Sequence, residues 1–210
     1  MADFGERALI TLREQLRATV SPKRFAHTLG VEQTVCDMAA LYCPEKTGML
    51  RAAALLHDCT KEYDEKKTKE VLSREGIRLR RDEKESPQIH HAITAPFEIA
   101  RLYPELADEE LLSCVRWHTT GREGMTVPEA VLYLADVIEP GREYPACVAL
   151  RNRFFDADPA AMTGEERDAH LCDVLRASLV GVRESLMAKG APVCEDTLSA
   201  IEYLKSKTHL

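Results

Sequence analysis

Apolar and polar positions along this chain alternate with a helical period, and no stretch alternates as a strand would. From Asp3 to Val20, residues Phe4, Ala8, Leu12, Leu16 and Val20 recur at steps of four, which predicts a helix with a narrow apolar stripe. Ser21-Pro22 reads as a helix start, with Ser as cap and Pro in the first turn, and that helix runs to about Tyr42. Gly30 inside it is either tolerated at a cost or permits close packing. Pro44 breaks the chain, and Thr47 to Cys59 is the next helix. Asp64 caps a short charged helix to about Glu75, and 76–85 is expected to be a charged, mobile loop. Ser86-Pro87 opens another helix, which Pro96 kinks or delays.

Asp108 caps a helix from Glu109 to about Trp117, which runs into His118-Thr-Thr-Gly121. Thr126-Val-Pro-Glu129 is a capping box. It opens a helix whose run Val131 to Ile138 is apolar nearly all round except for Asp136. Glu139-Pro-Gly-Arg142 is a turn, and a helix follows around Cys147 to Phe155. Thr163 and Glu166 cap a long amphipathic helix to Lys189, and Gly190 stops it. The last helix spans about Glu195 to Lys205. The expected fold class is therefore all-α.

Composition narrows the function. The 210 residues are 45% hydrophobic, enough to bury a sizeable core. We take 1–210 as one domain, with a motif-bearing core at about 21–142 and C-terminal helices over 143–210. A net charge of −7 argues against nucleic acid as partner, while leaving room for a small phosphorylated ligand held by a local basic cluster. No apolar stretch approaches the ~18–20 residues of a membrane span, and the start Met1-Ala-Asp-Phe-Gly-Glu-Arg is not a signal peptide. Seven scattered cysteines without a C-x-x-C pair read as reduced thiols, mostly small buried hydrophobes, in a cytoplasmic protein.

The chemistry lies in histidines and aspartates at predicted helix ends. His57-Asp58 follows the apolar run from Met49 to Leu56. Neutral imidazole and carboxylate both ligate divalent transition metals. Adjacent side chains on a helix diverge by roughly 100°, so they converge on one ion most easily where the helix ends. His27, His91, His118 and Asp136 recur in comparable settings, and a lone Asp in an apolar helix needs a partner for its charge. Bland readings stand beside these. Lys61 opens a charged run, Arg142 could pair with Glu139 or Glu143, and Arg24 could form a helix-surface pair. Thr119 could merely shape its turn, and Trp117 reads as core rather than as a stacking platform.

The order His27, His57-Asp58, His91, His118, Asp136 on a helical chain resembles the signature of the HD-domain superfamily of metal-dependent phosphohydrolases. Arg24-Phe-Ala-His27, Leu55-Leu-His-Asp-Cys-Thr-Lys61, His91-Ala-Ile-Thr-Ala95, Trp117-His-Thr-Thr-Gly121 and Leu134-Ala-Asp-Val-Ile-Glu-Pro-Gly-Arg142 resemble blocks of its YqeK-type branch. That branch is the bacterial symmetrical bis(5′-nucleosyl)-tetraphosphatases. The likeness covers about Ser21 to Arg142 and is weaker beyond.

The resemblance implies an HD-domain helical bundle that cleaves diadenosine tetraphosphate to two ADP. It puts iron on His27, His57, Asp58 and Asp136, with His91 and His118 at a second ion or a phosphate. Asp58, Lys61, His91 and His118 would be catalytic. Arg24, Lys61, His91, His118, Thr119, Asp136 and Arg142 would contact substrate. One ion or two remain open, and manganese or cobalt would suit the same donors. His91 fits the family spacing better than His90. The half of the substrate that leaves is expected to need few contacts of its own. Rival readings are another HD nucleotide phosphohydrolase, such as a 5′-nucleotidase or an alarmone or cyclic-nucleotide hydrolase, and a non-catalytic nucleotide sensor. The long 164–189 helix could pack in cis or across a homodimer.

Overall fold

The computed structural model describes residues 2–207 and 209–210, and its elements follow the apolar pattern closely. Among the described residues there are eleven α-helices and no strand. The first six are α1 (Glu6–Thr19), α2 (Pro22–Tyr42), α3 (Thr47–Leu56), α4 (Glu65–Arg74), α5 (Arg81–Lys84) and α6 (His90–Leu102). The rest are α7 (Glu109–Trp117), α8 (Val127–Ile138), α9 (Pro145–Phe155), α10 (Gly164–Ala188) and α11 (Glu195–Leu204). The caps are made by the expected side chains. Ser21 accepts from the Arg24 amide, Asp64 from Lys67, and Asp108 from Glu110 and Leu111. Thr126 with Glu129, and Thr163 with Glu166, close reciprocal capping boxes.

The helices meet around α3. Met49, Leu50 and every residue from Ala52 to Leu56 are buried, and α3 packs against α1, α2, α7 and α8. Three successive alanines, Ala52 to Ala54, keep this helix thin, so its neighbours can approach closely. α8 is the second axis, buried from Pro128 to Ala135 and packed on α2, α3, α7, α9 and α10. One apolar cluster runs from Leu9 in α1 to Leu204 in α11. Each fully buried Leu contributes roughly 1.5–3 kcal/mol, against about 1 kcal/mol for a typical cap. Burial therefore drives assembly, and the caps set where the helices begin. A smaller cluster joins Leu72, Ile89, Ile93 and Cys194.

Several local expectations are corrected. In α1 the buried positions are Leu9, Leu12 and Leu16, with Ala8 and Val20 only half-buried. A 3.6-residue turn drifts away from a strict step of four, and the larger Leu9 takes the core position. α3 stops at Leu56, leaving His57 and Asp58 in the following turn. The 76–85 segment contains the short α5 and is tied down. Glu83 accepts from the Arg80 amide, and Asp82 accepts from the amide of Glu195 at the start of α11. Ser86 does not cap with its side chain; a 3-10 turn, Pro87–Ile89, precedes α6. Pro96 lies inside α6 and does not delay its start. All seven cysteines are free, four buried and three half-buried. No helix among the described residues is long and apolar enough to cross a membrane.

Candidate metal centre

α3 and α7 end in the same way. Beyond the last turn of each, a histidine closes back on the helix. His57 Nδ1 lies 2.6 Å from the Ala54 carbonyl, and His118 Nδ1 lies 2.6 Å from the Val115 carbonyl. A carbonyl only accepts, so each Nδ1 carries the proton and each Nε2 presents a lone pair inward. These bonds also satisfy carbonyls that a helix end leaves open. After α7 the chain turns through Gly121, whose amide donates to the Trp117 carbonyl and whose φ of +65° suits glycine.

Asp58 sits between two groups of imidazoles. Its Oδ2 is 3.4 Å from His57 Nε2 and 3.8 Å from His27 Nε2. Its Oδ1 is 3.2 Å from His91 Nε2 and 3.7 Å from His118 Nε2. Asp136 closes the first group, with Oδ1 at 2.9 Å from His27 Nε2 and 3.8 Å from His57 Nε2. Donor atoms of His27, His57 and Asp136 converge within 4.8 Å of one another, and so do those of His57, Asp58 and His118. His57 is fully buried, yet its Nε2 has no hydrogen-bond partner. A buried lone pair without a donor is costly in a bare protein and expected at a metal ligand. The donor set therefore fits a divalent cation.

The electrostatics follow from this packing. Burial works to raise the Asp58 pKa, but His57 and the neighbouring imidazoles outweigh it and hold it well below the carboxylate range. Asp136 is likewise lowered against burial, by His27, His57 and Arg142. Burial opposes charge on His27 too, yet Asp136 and Glu139 raise its pKa to about 8. Burial, with His118 and Lys61 beside it, pushes His91 well down.

The remaining expected residues surround this centre. Arg24 ion-pairs with Asp58. Lys61 Nζ lies 3.1 Å from His91 Nε2, and burial of that ammonium lowers its pKa. Thr119 Oγ1 is 3.1 Å from His91 Nε2 and 3.0 Å from His118 Nε2, so it belongs to the cluster. Arg142 pairs with neither Glu139 nor Glu143: it donates to Asp136 Oδ1 at 2.7 Å and to the Asp136 carbonyl at 3.1 Å. His91 is in the cluster, whereas His90 points to the Glu83 carbonyl at 2.8 Å. Trp117 is half-buried, with the Arg116 guanidinium over its ring.

Two supporting residues escaped the sequence reading. Glu139 Oε1 lies 3.1 Å from His27 Nδ1, and its Oε2 accepts from the Gly141 amide at 2.6 Å. Glu139 follows Asp136 by three residues, and that shared-face spacing was the available signal. Arg151 grips the same turn through the carbonyls of Ile138, Glu139 and Arg142. An arginine used this way leaves no mark in a periodicity pattern.

The sequence model of the HD domain family matches residues 24–141, the span that holds every histidine and aspartate of this centre. This chain belongs to the HD domain family. Two relatives carry the name symmetrical bis(5′-nucleosyl)-tetraphosphatase. One, from Bacillus subtilis, is 29% identical over 96% of this chain and 97% of its own length. The other, from Halalkalibacterium halodurans, is 30% identical over 86% of this chain and 88% of its own. A solved structure from Clostridium acetobutylicum, described as a predicted HD superfamily hydrolase involved in NAD metabolism, superposes with a TM-score of 0.79. It is 30% identical and covers 93% of this chain and 96% of its own.

Proposed function

We infer that this HD protein is a cytoplasmic, metal-dependent hydrolase that cuts diadenosine tetraphosphate at its centre, giving two ADP. The observation that carries the reading is Asp58, whose two oxygens face separate imidazole groups with Arg24, Lys61 and Arg142 close by. The end-to-end likeness to the named tetraphosphatases supports the substrate. His27, His57, Asp58 and Asp136 would hold the metal, iron first, with manganese or cobalt chemically acceptable. His91 and His118 would serve a second ion or the phosphates. The chemistry such an ion supplies when bound is activation of water near neutral pH and neutralisation of phosphate charge.

The chain's own residues supply the rest. Arg24 and Arg142 offer guanidinium donors to the phosphates of one nucleoside diphosphate half, which holds that half against the centre. Lys61 adds a point charge beside His91, toward the half that departs. Thr119 offers a hydroxyl between His91 and His118. Glu139 holds the proton on His27 Nδ1, leaving Nε2 for the ion.

The test is a product analysis with metal-loaded protein in oxygen-18 water. ADP is expected as sole nucleotide product, with the label in one ADP of each pair. Equal amounts of ATP and AMP would reject central cleavage. A metal-replete protein that cuts no dinucleotide would instead be a sensor.

A further inference from the structure

Beside the metal centre lies a cavity of about 590 Å³, within the usual range for small-molecule sites. Two of its lining residues, Lys61 and His91, also belong to the centre. His91 Nε2 is in turn 3.2 Å from Asp58 Oδ1. The cavity therefore lies on the Oδ1 side of Asp58. Arg24 and Arg142 contact Asp58 Oδ2 and Asp136, on the other side, and neither lines the cavity.

We propose that this cavity, between α4 and the start of α6, receives the nucleoside of the second ADP half, the half that leaves. The inference rests on the dinucleotide reading above and adds where the other end of the substrate sits. Its chemistry matches in two respects. Leu72, Leu79 and Pro87 give apolar walls for the faces of a base and ribose, while Thr68 and Gln88 offer polar edges. Lys61, Lys69 and Lys84 line it against one carboxylate, Glu65, which already pairs with Lys69. Cations along the approach suit the phosphates that must pass from the centre to the nucleoside. A tetraphosphate bridge crossing Asp58 from the guanidinium side has this cavity on its far side. The departing half thus has a site of its own, contrary to the expectation that it needs few contacts.

Adenosine 5′-tetraphosphate separates the two halves. It has the four phosphates and one nucleoside, so it can fill the held half and cross the centre without entering the cavity. Gln88 is exposed on the 3-10 turn before α6, and Gln88→Trp plugs the cavity from the surface; Thr68→Trp does so from α4. For the wild type, kcat/KM on diadenosine tetraphosphate is expected about tenfold above that on adenosine 5′-tetraphosphate. Either plug should bring the two within about threefold, through loss on the dinucleotide alone. Equal values in the wild type, an unchanged ratio in both plugged variants, or equal losses on both substrates with unaltered circular dichroism would overturn the proposal. Should the wild type cut neither substrate, the functional reading fails, and calorimetric titration of the metal-loaded protein with ADP decides the cavity. Two ADP per chain in the wild type and one in Gln88→Trp support it; one in both overturns it.

Discussion

Asp58 is the residue on which the centre depends, because its oxygens face both groups of imidazoles. Asp58→Ala is expected to lose bound metal and activity while helical circular dichroism stays near wild type. Full metal occupancy with normal turnover would contradict that role. The His90 and His91 pair gives a finer test. His91 is packed into the cluster, and His90 is engaged with the Glu83 carbonyl outside it. His91→Ala should lower kcat/KM by at least about tenfold, a cost of about 1.4 kcal/mol, and His90→Ala by much less. Steady-state kinetics on the two variants would expose a reversed ranking.

Between elements, the centre depends on how closely α2 approaches the end of α8. Gly30 is the contact point. A Cβ there would stand closer to the Glu139 carboxylate than real Cβ atoms come, so something must move. Of the two readings of this glycine, close packing is the one the structure adopts. Gly30→Ala should improve α2 as a helix and still harm the centre, by pushing Glu139 off His27 Nδ1. Metal affinity is expected to fall about 10–100-fold, the usual cost of losing a carboxylate behind a ligating histidine. Glu139→Gln should show the same loss in a metal-competition assay. If Gly30→Ala binds metal normally, Glu139 has room to yield and does not position His27.

Across the whole molecule, buried carboxylates away from the centre tie helices together. Glu98 in α6 is 1% exposed and bonds to Arg101, Arg74 and Tyr63. Arg101 above all, helped by Arg74 and Tyr63 against the cost of burial, lowers its pKa from 4.5 to about 2. A folded pKa below the unfolded one stabilises the fold above the unfolded value, and that stability is lost as pH falls through the folded one. Glu98 should therefore stabilise the α4–α6 pairing at neutral pH and cease to do so between about 4.5 and about 2. Urea unfolding of Glu98→Gln against wild type should show a gap that is widest near neutrality and shrinks toward pH 2. A gap that widens in acid would reverse the assignment.

The caps at Ser21, Asp64, Asp108, Thr126 and Thr163, the helical class and the apolar runs of α3 and α8 were all legible in the sequence. Each depends on residues a few positions apart, whose geometry the helix itself sets. The order of histidines and aspartates was legible for a similar reason, since ligand types at helix ends form a linear motif. Other features belong to tertiary structure alone. Glu139 meets His27 across 112 residues, and Arg142 turns to Asp136 rather than to its acidic neighbours. Leu9 rather than Ala8 enters the core, and the 76–85 segment is anchored on α11. A periodic pattern shows which face of a helix is buried, but not the rotation and axial shift at which it meets its neighbours. Those are settled when α2, α3, α6, α7 and α8 pack around the alanines of α3, and it is that packing which brings the two oxygens of Asp58 to two different sets of histidines.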